Sequence, residues 1–351
     1  MLKIVSLLGF FLISCSMWGN SEPDISITLR SPTPNSMYIT WETVFDIQYY
    51  ILFQYFENDG IYKYLATVSD RNSFLHTGLS PSRRYVYRLA HYYNDTRVFL
   101  GQRFFGITSP HIIAHRGYHY GIEGSAENSI QSLRAAAELG VFGSEFDVHV
   151  TADNIPVIHH APHIQGKEGN IRIEAASYDE IRDLVLFNGE RLPTLDDYLR
   201  AAKELSIQLI LELKAYTGNA ERHREIAQIV VDRVNYFGLG DRVEYITFNL
   251  NIGKEFIRIT DSKVSLLDGD LSPEELNNLG FHGIAFSYSR MQANPQYFNS
   301  ARKLGMSINV WTVNVLSLME KMVNSGADLI TTSIPSIAKF FFSNRVFHYE
   351  F

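Results

Sequence analysis

From Pro110 onward the sequence alternates, eight times over, between a short apolar run and a stretch with helical spacing, and this rhythm constrains the fold more than any other feature. The apolar runs fall at residues 112–115, 144–150, 208–214, 243–249, 264–267, 283–287, 307–313 and 328–332. Between them, sets such as Ile226, Ile229, Val230, Val234 and Phe237, or Leu316, Met319 and Val323, recur at the three- and four-residue intervals that place side chains on one helix face. Strand alternating with helix is the pattern of parallel βαβ units. Eight such units within about 235 residues, 110–345, fit a closed α/β barrel of the (β/α)8, or TIM, type. In such barrels the chemistry sits at the C-terminal ends of the strands.

Residues 21–109 read differently, with period two: Met37, Ile39 and Trp41 share a face of one strand, and Tyr49, Ile51, Phe53 and Tyr55 share a face of the next. Asp59-Gly60 between apolar runs is a hairpin signal, because glycine accepts the positive φ that a tight turn needs. Tyr85, Tyr87 and Leu89 alternate again. The segment Leu79-Ser80-Pro81-Ser82-Arg83-Arg84-Tyr85, with Trp41 upstream, resembles the fibronectin type III pattern, which implies a small all-β sandwich with a tyrosine corner. No acidic or histidine cluster lies in this segment, so it is expected to be a spacer or a module contacting protein or glycan. Its aromatic residues are expected in the core rather than on a carbohydrate platform.

Residues 1–20 carry Lys3, an apolar run over 4–13 and then Ser14-Cys15, the layout of an export signal too short to span a bilayer comfortably. Leu12-Ile13-Ser14-Cys15 resembles a bacterial lipobox, which implies lipidation of Cys15 and attachment of an exported lipoprotein to a cell-envelope membrane, in the periplasm or at the outer membrane. The polar segment 16–24 would be the tether. Cys15 is the single cysteine, which excludes an internal disulfide and any multi-thiolate metal site. The formal charge of −7 and the lack of a long basic run argue against nucleic acid as a partner.

At the end of the first barrel strand stand His115-Arg116-Gly117, followed by Glu127-Asn128 where the first helix opens. The second strand carries Glu145-Phe146-Asp147, whose i, i+2 spacing sends both carboxylates to one face, inward in a closed barrel. The third carries Glu212-Leu213-Lys214, and His159-His160 follow Pro156-Val157-Ile158. Glu145, Asp147 and Glu212 bring three negative charges against two positive ones from Arg116 and Lys214, leaving the cluster at minus one. A divalent cation takes it to plus one, and a phosphodiester monoanion then brings it to zero. With each unit pair worth roughly 4 kcal/mol at about 4 Å and an effective dielectric near 20, the cluster alone should reject phosphate and with a cation should hold it. Carboxylate ligands select a hard ion, Mg²⁺ or Ca²⁺. The competing arrangement is an internal salt-bridge network among the same five residues, which leaves His115 and His160 unexplained.

These motifs together, with Gly143-Ser144-Glu145-Phe146-Asp147-Val148, Thr151-Ala152-Asp153 and Pro156-Val157 before His160, resemble the glycerophosphodiester phosphodiesterase family over residues 112–340. The resemblance implies a TIM barrel that hydrolyses a small glycerophosphodiester to glycerol phosphate and an alcohol. It implies Glu145, Asp147 and Glu212 as metal ligands, His115 and His160 as the acid/base pair, and Arg116 and Lys214 as phosphate contacts. Trp311 resembles the family's aromatic wall beside the substrate. Two positions depart from the family. Ala161 stands where an Asp usually follows the second histidine, so another group must fix the tautomer of His160 or His159 must take its place. Ser333 stands where Asp is common. The alternatives to hydrolysis are a barrel that binds glycerophospho-headgroups without turnover and a surface-binding protein acting through the sandwich.

Overall fold

In the computed structural model, the described residues are 25–349 apart from 43–46, 58, 94–96, 123–124, 167–168 and 216–218. The expected signal and Cys15 lie outside them. Seven strands come first: β1 (Ile27–Arg30), β2 (Ser36–Trp41), β3 (Ile47–Phe56), β4 (Ile61–Val68), β5 (Ser73–Thr77), β6 (Arg84–Tyr93) and β7 (Arg97–Ile107). They form two antiparallel sheets, β1-β2-β5 and β4-β3-β6-β7, packed as a sandwich around Leu29, Met37, Ile39, Trp41, Leu52, Tyr87 and Phe104. The expected corner is present, with the Ser80 backbone N–H donating to the Tyr85 hydroxyl at 2.8 Å.

The sequence reading of β3 is corrected. Tyr50 and Leu52 enter the core, while Ile51, Phe53 and Tyr55 lie half-buried on the outer face of the sheet. Both faces of β3 are apolar, so alternation carries no information about which one is buried. The outer aromatic set on β3 and β4 is therefore a surface.

The barrel strands are β8 (His111–Ala114), β9 (Gly143–Val150), β13 (Gln208–Leu213), β14 (Val243–Thr247), β15 (Lys263–Leu267), β16 (Gly283–Ser287), β17 (Ser307–Trp311) and β18 (Leu329–Thr332). All eight pair in parallel in that order, and β18 and β9 both pair with β8, closing the barrel. All eight expected strands are present, some shorter at the C-terminal end. β14, for example, stops at Thr247 because Asn249 turns to cap the helix Leu250–Ile259, its Oδ1 accepting from the N–H groups of Asn251 and Ile252. Between β9 and β13 the chain inserts β10 (Pro156–Ile158), which pairs antiparallel with β9, and a hairpin of β11 (His163–Gly166) and β12 (Gly169–Arg172). Val157, Ile164, Ile173, Ile181 and Leu192 give this insertion a small core of its own.

Inside the barrel, Ile113, Ile210, Ile246, Leu267, Ala285 and Leu329 form an apolar plug beneath the C-terminal mouth. Burying each of the large aliphatic members contributes about 1.5–3 kcal/mol, which fixes the strand ends above them. A last strand, β19 (Val346–Tyr349), follows the barrel and pairs antiparallel with β1, so the C-terminus completes the N-terminal sheet. Tyr349 donates from its hydroxyl to the Phe105 carbonyl at 2.8 Å. Ser109 bonds both Ser31 and the Phe342 carbonyl, and Arg83 pairs with Asp328 at 2.6 Å, joining sandwich to barrel. Among the described residues no helix is long and apolar enough to cross a membrane.

Candidate active site

The parallel register sets the carboxylates side by side. Glu212 on β13 is level with Asp147 on β9, and Glu145 lies one inward position below Asp147. All three are buried, and one oxygen from each lies within 4.8 Å of the others. Lys214 Nζ reaches Asp147 Oδ1 at 2.9 Å and Glu212 Oε1 at 2.6 Å. Asn128 clamps Asp147 from the opposite side. Its Nδ2 donates to Asp147 Oδ2 at 2.8 Å, and its Oδ1 accepts the Asp147 backbone N–H at 3.0 Å.

The loop after β8 is shaped for this contact. Arg116 and Asn128 both adopt the left-handed region, with φ of 55° and 57°, and Gly117 follows at 77°. Only glycine fits at 117, because a Cβ there would meet Ser132 Oγ at 2.2 Å. The turn aims the Arg116 backbone N–H at Glu145 Oε2, 2.8 Å away, and its guanidinium at Glu127 Oε2, 2.9 Å, with Asp147 Oδ2 at 3.7 Å from Nε. The helix Ile130–Leu139 then begins at Ser129, whose hydroxyl caps the Ser132 N–H.

The positive charge in reach does not balance three buried carboxylates. Burial and the neighbouring Asp147 and Glu212 hold Glu145 well above the usual carboxylate range, and burial with Asp147 pushes Glu212 up to about 8. Lys214 and the Asn128 amide keep Asp147 low despite its burial. Lys214, deep between two carboxylates, is firmly protonated. The salt-bridge network weighed from the sequence thus exists, and it does not satisfy the cluster. Glu212 Oε1, although in ion-pair contact with Lys214, has no hydrogen bond of proper geometry. Three converging carboxylates short of positive charge form a donor set that fits a hard divalent cation.

His115 and His160 line the same pocket as the carboxylates, Arg116 and Lys214. Burial, aided by Arg116, pushes His115 down to about 3, and burial lowers His160 against the opposing pull of Asp147, so both rings are neutral at pH 7. His115 Nδ1 lies 3.2 Å from Ser333 Oγ, and Ser333 is itself held by its N–H donating to Asn314 Oδ1 at 2.9 Å. His159 is directed elsewhere, its Nδ1 2.8 Å from the Ala161 carbonyl. The carbonyl of His160 lies 3.4 Å from Nε2 of the buried His149. Trp311 and Phe248 meet edge to face at 5.7 Å on the apolar wall, and Trp311 Nε1 donates to the Ala285 carbonyl.

All eight barrel residues singled out from the sequence therefore converge on one pocket; Cys15 lies outside the described residues. Sequence reasoning gave no role to Asn128 or Ser333. Asn128 could have been noticed as a polar residue directly before a helix cap and facing a strand of acids. Barrel closure sets the end of the eighth strand beside the end of the first, 218 positions away, but nothing in the sequence marks the Ser333 hydroxyl as a partner of the His115 ring.

Residues 115–336 match the glycerophosphoryl diester phosphodiesterase family. A glycerophosphodiester phosphodiesterase from Caldanaerobacter subterraneus subsp. tengcongensis is 25% identical over 243 residues, covering 64% of this chain and 94% of that protein. A crystal structure of a glycerophosphodiester phosphodiesterase from Parabacteroides distasonis is 48% identical with a TM-score of 0.63, over 66% of this chain and 95% of the other. A phosphodiesterase from Oleispira antarctica, solved with its product sn-glycerol-3-phosphate, shares the fold at 23% identity and a TM-score of 0.58, over 66% of this chain and 96% of the other.

Proposed function

The chain belongs to the glycerophosphoryl diester phosphodiesterase family, and from that premise we propose that its barrel hydrolyses a small glycerophosphodiester to glycerol phosphate and an alcohol by acid/base catalysis between His115 and His160. The observation that carries this reading is the set of three buried carboxylates, Glu145, Asp147 and Glu212, sharing one pocket with two neutral imidazoles.

Glu145, Asp147 and Glu212 would hold the divalent cation, Mg²⁺ or Ca²⁺, which when bound supplies Lewis-acid polarisation of the phosphoryl oxygens and eases ionisation of the attacking hydroxyl. The protein groups do the rest. A neutral imidazole can take the proton of the nucleophile, the glycerol hydroxyl next to the ester by family resemblance, while the second imidazole, protonated, gives one to the leaving oxygen; the cyclic phosphate so formed is then opened by water, the two imidazoles exchanging roles, to give glycerol phosphate. A bound phosphodiester anion favours that protonation, raising a histidine that burial has lowered. Arg116 presents a planar fork suited to two phosphate oxygens, and Lys214 acts as a point charge. Glu127, paired to Arg116, restrains the fork. Trp311 and Phe248 form the apolar side against which the carbon skeleton of the substrate rests.

The test is turnover of glycerophosphocholine and glycerophosphoethanolamine by the purified chain with Mg²⁺, with Ca²⁺ and with chelator. His115→Ala and His160→Ala should each lower kcat by at least about a hundredfold, as removal of a general acid or base does. Metal-dependent binding of these compounds without turnover by the unaltered chain would instead identify a headgroup-binding barrel, the reading that the Ala161 departure favours.

The same reading extends to the N-terminus, where Leu12-Ile13-Ser14-Cys15 supports an exported lipoprotein of the cell envelope. Cys15→Ser should remove the mass of the lipid from the chain and, in a high-salt wash, release it from the membrane to the soluble fraction. Retention of the variant on the membrane with an unshifted mass would exclude the lipid.

A further inference from the structure

The outer face of the β4-β3-β6-β7 sheet is layered with cations on rings. Arg88 lies over Tyr62 at 4.7 Å, Arg103 over Tyr55 at 4.6 Å and Arg84 over Phe105 at 3.8 Å. Arg88 and Arg103 are directly opposite each other across β6 and β7. Like charges at paired positions destabilise a sheet. Yet among the described residues none of the three arginines has a carboxylate within ion-pair distance, although Lys63 on the same sheet is paired with Asp59 at 2.6 Å. Arg88 Nε and the Tyr62 hydroxyl are also buried without a hydrogen-bond partner. Each guanidinium is restrained by the ring it lies over, which lowers the cost of presenting its remaining donors to an anion.

The charge is also segregated along the chain. Residues 21–109 hold eight basic and eight acidic residues and so are neutral, whereas the whole chain carries −7. An anionic surface would repel the barrel and accept this face of the sandwich.

From these observations we infer that the Arg84, Arg88 and Arg103 face docks on the phosphate layer of an anionic lipid membrane. The choice of occupant rests on two points. The face is a sheet surface on the order of 15 Å across rather than a groove for a threaded polymer. If Cys15 carries a lipid, as inferred above, the chain from Cys15 to Ile27 can extend at most about 40 Å, which keeps the sandwich near the bilayer.

The experiment is co-sedimentation of the full, unlipidated chain with vesicles of phosphatidylcholine alone and of phosphatidylcholine with a quarter phosphatidylglycerol, at low and high salt. The ratio of the two affinities cancels any contribution of the apolar N-terminal run. The wild type should prefer the anionic vesicles, and the preference should fall with salt. R84Q/R88Q/R103Q should lower the ratio, by about fivefold per arginine and on the order of a hundredfold in all. R84K/R88K/R103K, which keeps the charge, should retain most of it, with turnover of glycerophosphocholine unaltered and a cooperative unfolding transition kept in both variants. Equal binding of the wild type to both vesicles, or loss of the preference in the lysine variant as well, overturns the proposal. Binding to soluble polygalacturonate without binding to vesicles also overturns it and assigns the face to an acidic polysaccharide. Turnover is read separately, so failure here leaves the hydrolase reading standing.

Discussion

Ser333 shows how a site residue can be present in the sequence and still carry no readable role. It sits just past β18, and its Oγ approaches His115 Nδ1 at the mouth of the barrel, where it fixes the ring and hence which nitrogen faces the pocket. Ser333→Ala should lower kcat roughly tenfold with KM unchanged, the scale of one lost hydrogen bond acting on the transition state; equal changes in both constants would show that the serine only shapes the pocket. Glu145 and Asp147 were legible because they lie two residues apart on one strand and the barrel dictates which side is inward, and Glu212 because the next parallel strand repeats the device with Lys214. The family resemblance names His160, but the residues by themselves leave the choice over His159 open. It depends on the turn after β10, where the His159 ring folds back on the Ala161 carbonyl. For the carboxylates themselves, added Mg²⁺ or Ca²⁺ should raise the unfolding midpoint, and Glu212→Gln should abolish most of that rise in a thermal-shift titration. An undiminished rise in the variant would place the ion elsewhere.

At the scale of single elements, β14 carries a cost unrelated to the pocket. Glu244 points into the barrel below Ile246, with Oε1 accepting from Ser265 Oγ at 2.8 Å, and burial holds its carboxyl above the usual range. A carboxyl raised in the folded state binds more protons there than in the unfolded chain. It therefore costs stability progressively as pH rises from the ordinary carboxylate range through its folded value. Glu244→Gln should leave the midpoint unchanged near pH 4 and raise it relative to wild type at pH 8, measured by calorimetry; a variant less stable at pH 8 would show that the ionised carboxylate is paid for by its surroundings. All eight barrel strands were legible, since parallel strands buried on both faces read as continuous apolar runs. β3 was misread for the complementary reason, because its two faces are equally apolar. The β11–β12 hairpin was missed, since its strands are short and its core is shared with distant residues such as Leu192.

Across the whole molecule, sandwich and barrel are coupled by more than a linker. Arg83 to Asp328, Ser109 to Phe342 and the return of β19 to β1 all cross between them. Tyr349→Phe removes the bond to the Phe105 carbonyl and should cost about 1 kcal/mol of sandwich stability. Removal of residues 346–351 should cost more and divide a single calorimetric transition into two, the sandwich melting first; one unbroken transition in the shortened chain would show that the other contacts suffice. None of this coupling was legible, because four residues after the last helix look like an ordinary tail until their partner strand, more than 300 positions earlier, is known. The return strand also orders events during synthesis. β1 receives its outer partner from a strand made more than 300 residues later, so until β19 leaves the ribosome β1 keeps an open edge that a neighbouring nascent chain can pair with.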